Sequence, residues 1–273
     1  MSIRRVLFAT PAYVVLTILG LLFLLPLLWP ILASINTAAT LSLTIPAHPS
    51  LDNFVTILTN GTVTQPFTNS LILGVTTMVL TVLLSGLAAY PLSRYQFRFK
   101  RMLMYGILFA SALPVLALIT PLYAMYTTFN LQDTLQGCIF FFVASALPFS
   151  IWLMKNFLDT VPFELEEAAA IDGASTLQGL WHVVLPLAAP GIAVVSVWSF
   201  LGAWTNFFVP LIILQSLDLL PASVTIYSFF GAYGQVNYGQ LAAFAMLYAL
   251  PAVALYTLVS RFFVKGISGG LKG

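Results

Sequence analysis

From Val6 to Ser93 the chain carries one charged side chain, Asp52. A segment of that length without ionic groups cannot form the shell of a water-soluble domain; lipid is the solvent that tolerates it. The rest of the chain agrees. Of 273 residues, 7% are charged and 60% are hydrophobic, where a soluble domain has roughly 25% charged residues. Mean hydropathy is +1.00. A soluble enzyme and a disordered chain are both excluded, and a net charge of +2 gives no footprint for nucleic acid. Cys138 is the single cysteine, so no internal disulfide forms, and two histidines are too few for a typical structural zinc site.

A membrane-crossing helix needs about 20 apolar residues. Six segments meet this, at about 7–33, 67–92, 103–128, 136–158, 188–214 and 239–264. The fold class expected is therefore all-α integral membrane, with six transmembrane helices. The first apolar run, Val6 to Ala33, is far longer than the roughly 7–15 residues of a signal-peptide core and reads as a retained span. Pro26 and Pro30 predict a kink or an early end to it.

Basic residues stay on the cytoplasmic side of a membrane. With six spans and both termini cytoplasmic, all ten Lys and Arg residues fall on that side or at its edge, while the three outer loops hold only Asp52, Asp133 and Asp218. The loops at 34–66 and 215–238 are long. The latter is rich in Gly and Tyr (Tyr227, Gly231, Tyr233, Gly234, Tyr238), which fits a reaching loop as well as an interfacial connector.

No span carries Lys, Arg, Asp or Glu near its middle, where ion-coupled carriers place titratable groups. There is no GxxxxGK[ST] phosphate loop, no metal cluster and no nucleophile–base pair at depth; His48 and His182 lie in loops. The chain reads as a path with no energy source, catalyst or cofactor of its own.

The insertion at 159–187 is where an energy source attaches. Five of the eight acidic residues fall there: Asp159, Glu164, Glu166, Glu167 and Asp172. Pro162 suits a helix start, and acids in the first turns favour the helix dipole. Leu165, Ala168, Ala169 and Asp172 share one face, and Gly173 permits a turn that other residues resist. Ser175 and Gln178 have capping-box spacing, followed by an apolar stripe of Leu177, Leu180, Trp181, Val184 and Leu185 and then Pro186. Two short helices with a bend are expected. An amphipathic segment lying on lipid is disfavoured, because anionic headgroups repel carboxylates.

These residues carry a resemblance. Glu167, Ala168, Ala169, Gly173, nine further residues, then Val183, Val184, Leu185 and Pro186 follow the pattern E-A-A-x3-G-x9-I-x-L-P, with Val in place of Ile. The chain thereby resembles the membrane subunits of binding-protein-dependent ABC importers. It is most similar to the smaller permease subunit of the maltose-type carbohydrate systems, through ELEEAAAIDGA, VVLPLAAPG, Asn69–Leu71, Trp204–Leu211 and the ending VKGISGGLKG.

The resemblance implies a type I ABC importer permease fold in a prokaryotic cytoplasmic membrane. It implies a second, non-identical permease subunit, two ATP-binding-cassette subunits that use ATP and Mg, and an extracytoplasmic substrate-binding protein. Glu164, Glu166, Glu167, Ala168, Ala169, Asp172, Gly173, Leu185 and Pro186 would form the element that docks on an ATPase subunit, Glu167 pairing with a basic residue there. Gly269, Gly270, Lys272 and Gly273, in the tail 265–273, would reach between the ATPase subunits. The cargo implied is a sugar or oligosaccharide; a glycerophosphodiester or polyol is the alternative within the class, and a self-sufficient secondary carrier the alternative outside it. Polar and aromatic residues at depth that suit a sugar path are Asn69, Thr76, Trp204, Thr205 and Asn206.

Overall fold

The computed structural model describes the backbone of residues 3–270 except 60, 62, 113 and 231–235, and the side chains of these apart from 3–12, 115–117 and 261–270. The described residues form helices: α1 (Ile3–Ser34), α2 (Asp52–Thr59), α3 (Thr64–Arg94), α4 (Lys100–Ser111), α5 (Val115–Thr128), α6 (Leu135–Asp159), α7 (Glu164–Ile171), α8 (Thr176–Gly179), α9 (Leu185–Leu187), α10 (Ala189–Trp204), α11 (Phe208–Ile213), α12 (Ala222–Thr225) and α13 (Tyr238–Gly270).

Four of these, α1, α3, α6 and α13, are long and apolar enough to cross a membrane. Residues 176–187 and α10 form a pair bent by 74°, a fifth crossing if the two are counted as one. The expected spans 7–33, 67–92, 136–158 and 239–264 thus fall on unbroken helices. The other two do not. The segment 103–128 divides into α4 and α5 at Pro114, which has no N–H to continue the helical ladder and sits in extended backbone, ψ 113°. The segment 188–214 stops at Trp204; the Asn206 side chain accepts the Val209 N–H (3.0 Å), and α11 restarts at Phe208. Conversely, α1 runs through Pro26 and Pro30 to Ser34, so the early end expected there does not occur.

Two compact units emerge. One comprises residues 1–64 and 225–250. In it the 34–66 segment, expected as a polar loop, contains α2 and a buried polar knot. The Asn53 side chain donates to the carbonyls of Ser34 (3.1 Å) and Asn36 (3.0 Å). Gly239 presses on this knot so closely that a Cβ there would stand 2.6 Å from Asn53 Nδ2. Trp29 meets Tyr238 edge-on at 6.3 Å.

The other unit comprises residues 65–224 and 251–273. Its centre is α6, packed on α10, α4 and α11. One core cluster holds Leu73, Tyr126, Cys138, Phe142, Ala203 and Val209; the other holds Ala89, Met154, Leu158, Val161, Val184 and Val195. Glycines allow close helix–helix approaches: a Cβ on Gly191 of α10 would lie 2.5 Å from the Phe157 Cβ of α6, and one on Gly74 of α3 would lie 2.8 Å from the Phe200 ring. Along α3, Ser70, Thr77, Thr81 and Ser85 are all buried, forming a face of small polar residues against its neighbours.

Two loops of this unit are tied by one carboxylate. Asp133, in left-handed backbone (φ 50°), accepts the N–H groups of Gln215 (2.8 Å) and Ser216 (2.9 Å) and the Ser216 hydroxyl (2.5 Å). The Ser216 hydroxyl above all, with the two backbone N–H groups, lowers the Asp133 pKa below the ordinary carboxylate value. A depressed acid contributes its stabilisation above the unfolded-state pKa and loses it as pH falls through the folded one. Hydrogen-exchange protection of the Gln215 and Ser216 amides, corrected for intrinsic rates, is therefore expected to persist through about pH 4 and to collapse only below it. A collapse at or above that value, or the same profile in Asp133→Asn, contradicts the ionic tie.

Candidate coupling site at the α6–α10 connection

After α6 the backbone turns sharply, and α7 begins at Glu164. The Phe163 carbonyl accepts the N–H groups of Glu166 (2.9 Å) and Glu167 (3.2 Å), and no side chain caps this end. Three acids, Glu164, Glu166 and Glu167, occupy the first turn, where the helix dipole favours them.

The helix stops for a reason written in one residue. Gly173 takes φ +89°, the left-handed region that lacks a Cβ penalty only for glycine. This lets the Ala174 N–H reach the Ala169 carbonyl (2.9 Å) and the Gly173 N–H reach that of Ala170 (3.0 Å), the paired bonds of a Schellman end. Two residues on, the expected capping box is complete: Ser175 accepts from the Gln178 N–H, and the Gln178 side chain accepts from the Ser175 N–H (2.8 Å). Stop, turn and restart are thus each satisfied by hydrogen bonds, which makes the elbow a defined shape.

The expected stripe of Leu177, Leu180, Trp181, Val184 and Leu185 does not stay on one face. Residues 180–184 form a π-turn, in which the Leu185 N–H bonds the Leu180 carbonyl. Pro186 follows without an N–H of its own. The stripe divides: Val184 is fully buried, Leu180 and Leu185 are half-buried, and Leu177 and Trp181 stay 63% and 61% exposed. Ile171 is 86% exposed at the tip of the elbow. The face of Leu165, Ala168 and Asp172 is also open, with Ala169 half-buried and Pro186 exposed. Isoleucine, leucine and tryptophan held this far out form an apolar patch that wants a cover.

The acids part company. Glu164, Glu167 and Asp172 are exposed, and among the described residues none of them has an ion-pair partner. Glu166 turns inward. It accepts from the Tyr90 hydroxyl (2.8 Å) and the Arg94 Nε (2.5 Å), both at the last turns of α3. Asp159 stays exposed, pairing with Lys155 and accepting the Ser93 hydroxyl (2.6 Å). Spacing along the chain could not reveal the Glu166 contact, because its partners lie 76 and 72 positions away. The available signal was a span ending in Arg94 beside an acid-rich insertion that carries no Lys or Arg. A cleft of about 300 Å³ opens between Arg94, Tyr95, Phe163, Glu166 and Gly179. His182 lies exposed on this segment, its Nδ1 3.0 Å from the Gln178 carbonyl.

The residues expected to line a sugar path separate as well. Asn69 is buried, and its amide donates to the carbonyls of Asp218 (2.8 Å) and Leu220 (3.2 Å). Trp204 is buried, stacked on Phe200 at 5.4 Å and edge-on to Phe67 at 6.2 Å. Asn206 accepts the Val209 N–H. Thr205 is exposed, its hydroxyl donating to the Leu201 carbonyl (2.8 Å), and Thr76 is half-buried. In the tail, Gly269 and Gly270 close α13, while Lys272 and Gly273 lie outside the described residues, as do Gly231, Tyr233 and Gly234 of the 215–238 loop.

Comparison with known proteins places these features in a group. Residues 81–269 match the family model described as binding-protein-dependent transport system inner membrane component. The diacetylchitobiose uptake system permease protein NgcG of Streptomyces coelicolor is 31% identical over 96% of this chain and 88% of its own length. The maltodextrin transport system permease protein MdxG of Bacillus subtilis is 31% identical over 100% and 99%. The trehalose transport system permease protein SugB of Mycobacterium tuberculosis is 32% identical over 92% and 93%. Among solved structures, a chain of a bacterial ABC transporter involved in import of the acidic polysaccharide alginate superposes with a TM-score of 0.79 at 22% identity, covering 96% of this chain and 99% of that one.

Proposed function

Since the chain belongs to the family of binding-protein-dependent transport system inner membrane components, we propose that it is one of two non-identical permease subunits that together form the path of an ATP-driven sugar importer. It is a membrane-embedded, multi-pass transport component and not an enzyme. Two ATP-binding-cassette subunits hydrolyse ATP with Mg. One of them docks on the α7–α8 elbow, and a binding protein outside delivers a sugar or oligosaccharide. The relatives named for diacetylchitobiose, maltodextrin and trehalose support that cargo class.

The observation that carries the coupling reading is the elbow itself. It is a hydrogen-bonded turn that projects Ile171, Leu177 and Trp181 together with unpaired Glu164 and Glu167. Apolar side chains ringed by carboxylates suit a groove with an apolar floor and a basic rim, and Glu167 meets a cation there.

Counting α4–α5 and α10–α11 as one broken crossing each gives six spans with both termini in the cytoplasm. That arrangement puts all ten Lys and Arg residues on the inner side of a prokaryotic cytoplasmic membrane. For the sugar, Thr76 and Thr205 are the polar candidates left accessible, while Asn69, Trp204 and Asn206 hold the walls that shape the path.

The test is reconstitution of the full complex in liposomes. Labelled oligosaccharide is expected to accumulate only with ATP on the elbow side and loaded binding protein on the other. Accumulation by this chain alone, driven by an ion gradient, makes it a secondary carrier instead.

A further inference from the structure

Glu166 is the acid of α7 that does not face outward, and its partners explain why. The Arg94 and Glu166 side chains retain 7% and 12% exposure, so the pair is largely withdrawn from water. We propose that Arg94, with Tyr90, fastens the elbow to α3 through Glu166 and so makes α3 the rod that carries elbow movement to the far end of the unit. Arg94 is then a positioning residue of the transport cycle. The proposal rests on the docking reading above.

Three features support it. First, the joint is directional. Apolar contacts of the elbow, such as Val161 and Val184 against Ala89 and Met154, allow sliding, whereas a charged donor–acceptor pair of low exposure holds one register. Second, the last turn of α3 is gripped from two elements. Arg94 and Tyr90 bind Glu166 of α7, and the adjacent Ser93 binds Asp159 at the end of α6 while accepting from Arg94 Nη1 (3.3 Å). Third, α3 is tied at its other end too. Asn69 holds the Asp218 and Leu220 carbonyls, and Ser70 accepts the Ala222 N–H (2.9 Å). A helix of 31 residues, about 46 Å long at the usual rise, is thus bonded to the elbow near one terminus and to the 218–222 segment near the other.

The joint also has a spare contact. Arginine binds a carboxylate most firmly by a two-pronged fork. Here Nε holds Oε1, the Tyr90 hydroxyl donates to Oε2, and Arg94 Nη2 is buried with no hydrogen-bond partner among the described residues. Removing the Tyr90 hydroxyl leaves the Arg94 Nε bond to Oε1 in place, with Nη2 as a reserve donor, and keeps the joint closed.

The experiment uses the whole complex with binding protein, reading recovery, basal ATP hydrolysis, and sugar taken up per ATP hydrolysed. In complexes recovered at parental abundance, Arg94→Ala and Glu166→Gln are expected to lower uptake per ATP hydrolysed about tenfold or more. Exchange of the pair, Arg94→Glu with Glu166→Arg, is expected to restore most of it, which general loss of packing would not. Tyr90→Phe is expected to stay within about twofold of the parent. Full uptake per ATP in Glu166→Gln overturns the proposal, even if Arg94→Ala fails to assemble; so does failure of the exchanged pair in a complex that assembles. A parent complex that shows no ATP-dependent uptake is a different result, and it overturns the docking reading instead.

Discussion

Gly173→Pro is expected to abolish uptake while the chain still reaches the membrane. Proline fixes φ near −65°, whereas position 173 requires +89°, and proline lacks the N–H that bonds the Ala170 carbonyl. The local cost is about 3 kcal/mol or more, and it falls on the turn between α7 and α8. A Cβ on Gly173 would meet nothing within 4 Å, so the substitution distorts the elbow without crowding a core. Glu167→Lys probes the same face by charge alone. Glu167 is exposed and has no ion-pair partner among the described residues, so the chain itself loses about 1 kcal/mol, the helix-dipole contribution of its first turn. A reversed charge at a buried interfacial contact costs about 2–5 kcal/mol, enough to remove most docking. The measurement is uptake and binding-protein-stimulated ATP hydrolysis of purified complexes, with membrane abundance as control. Full uptake with both variants present at parental levels removes the elbow from the mechanism.

Gly191→Leu is expected to undo the packing of α10 on α6. Even Gly191→Ala places its methyl 2.5 Å from the Phe157 Cβ, with Cγ at 2.6 Å. Phe157 cannot swing its own Cβ aside without moving the α6 backbone, so overpacking costs about 1–3 kcal/mol for alanine and more for leucine. Gly202, on the same helix, supplies the contrast. A Cβ there meets nothing within 4 Å, and alanine is the better helix former by about 1 kcal/mol. Thermal unfolding in detergent should fall for Gly191→Ala and hold or rise for Gly202→Ala. Equal midpoints for the two mean that the α6–α10 contact is looser than the geometry indicates.

Local chemistry was legible in the residues, and tertiary chemistry was not. Ser175 with Gln178 announces a capped helix, and Gly173 announces a left-handed turn, because both depend on neighbours a few positions away. Length and hydropathy located α1, α3, α6 and α13 for the same reason. The two interrupted segments needed more. A proline such as Pro26 leaves α1 whole while Pro114 separates α4 from α5, and residue type alone does not distinguish the two. The π-turn at 180–184 is equally silent in periodicity: one extra residue in a turn rotates Leu177 and Trp181 away from Val184. Asn69, Trp204 and Asn206 look like lining because polar and aromatic groups at depth suggest a ligand, yet their bonds go to the protein's own backbone and rings. Glu166 and Glu167 are indistinguishable by type. Only the approach of Arg94 separates the anchored acid from the free one.

The seclusion of Cys138 has a practical consequence. Its side chain is wholly enclosed beside Tyr126 and Phe142, and a thiol without water around it reacts slowly. The native protein is therefore already a silent background for spectroscopic probes: a cysteine introduced at Ile171 or Tyr227 would take a fluorophore or spin label alone. Distances between those two positions then become readable through a full transport cycle, with no stabilising residue having first to be removed.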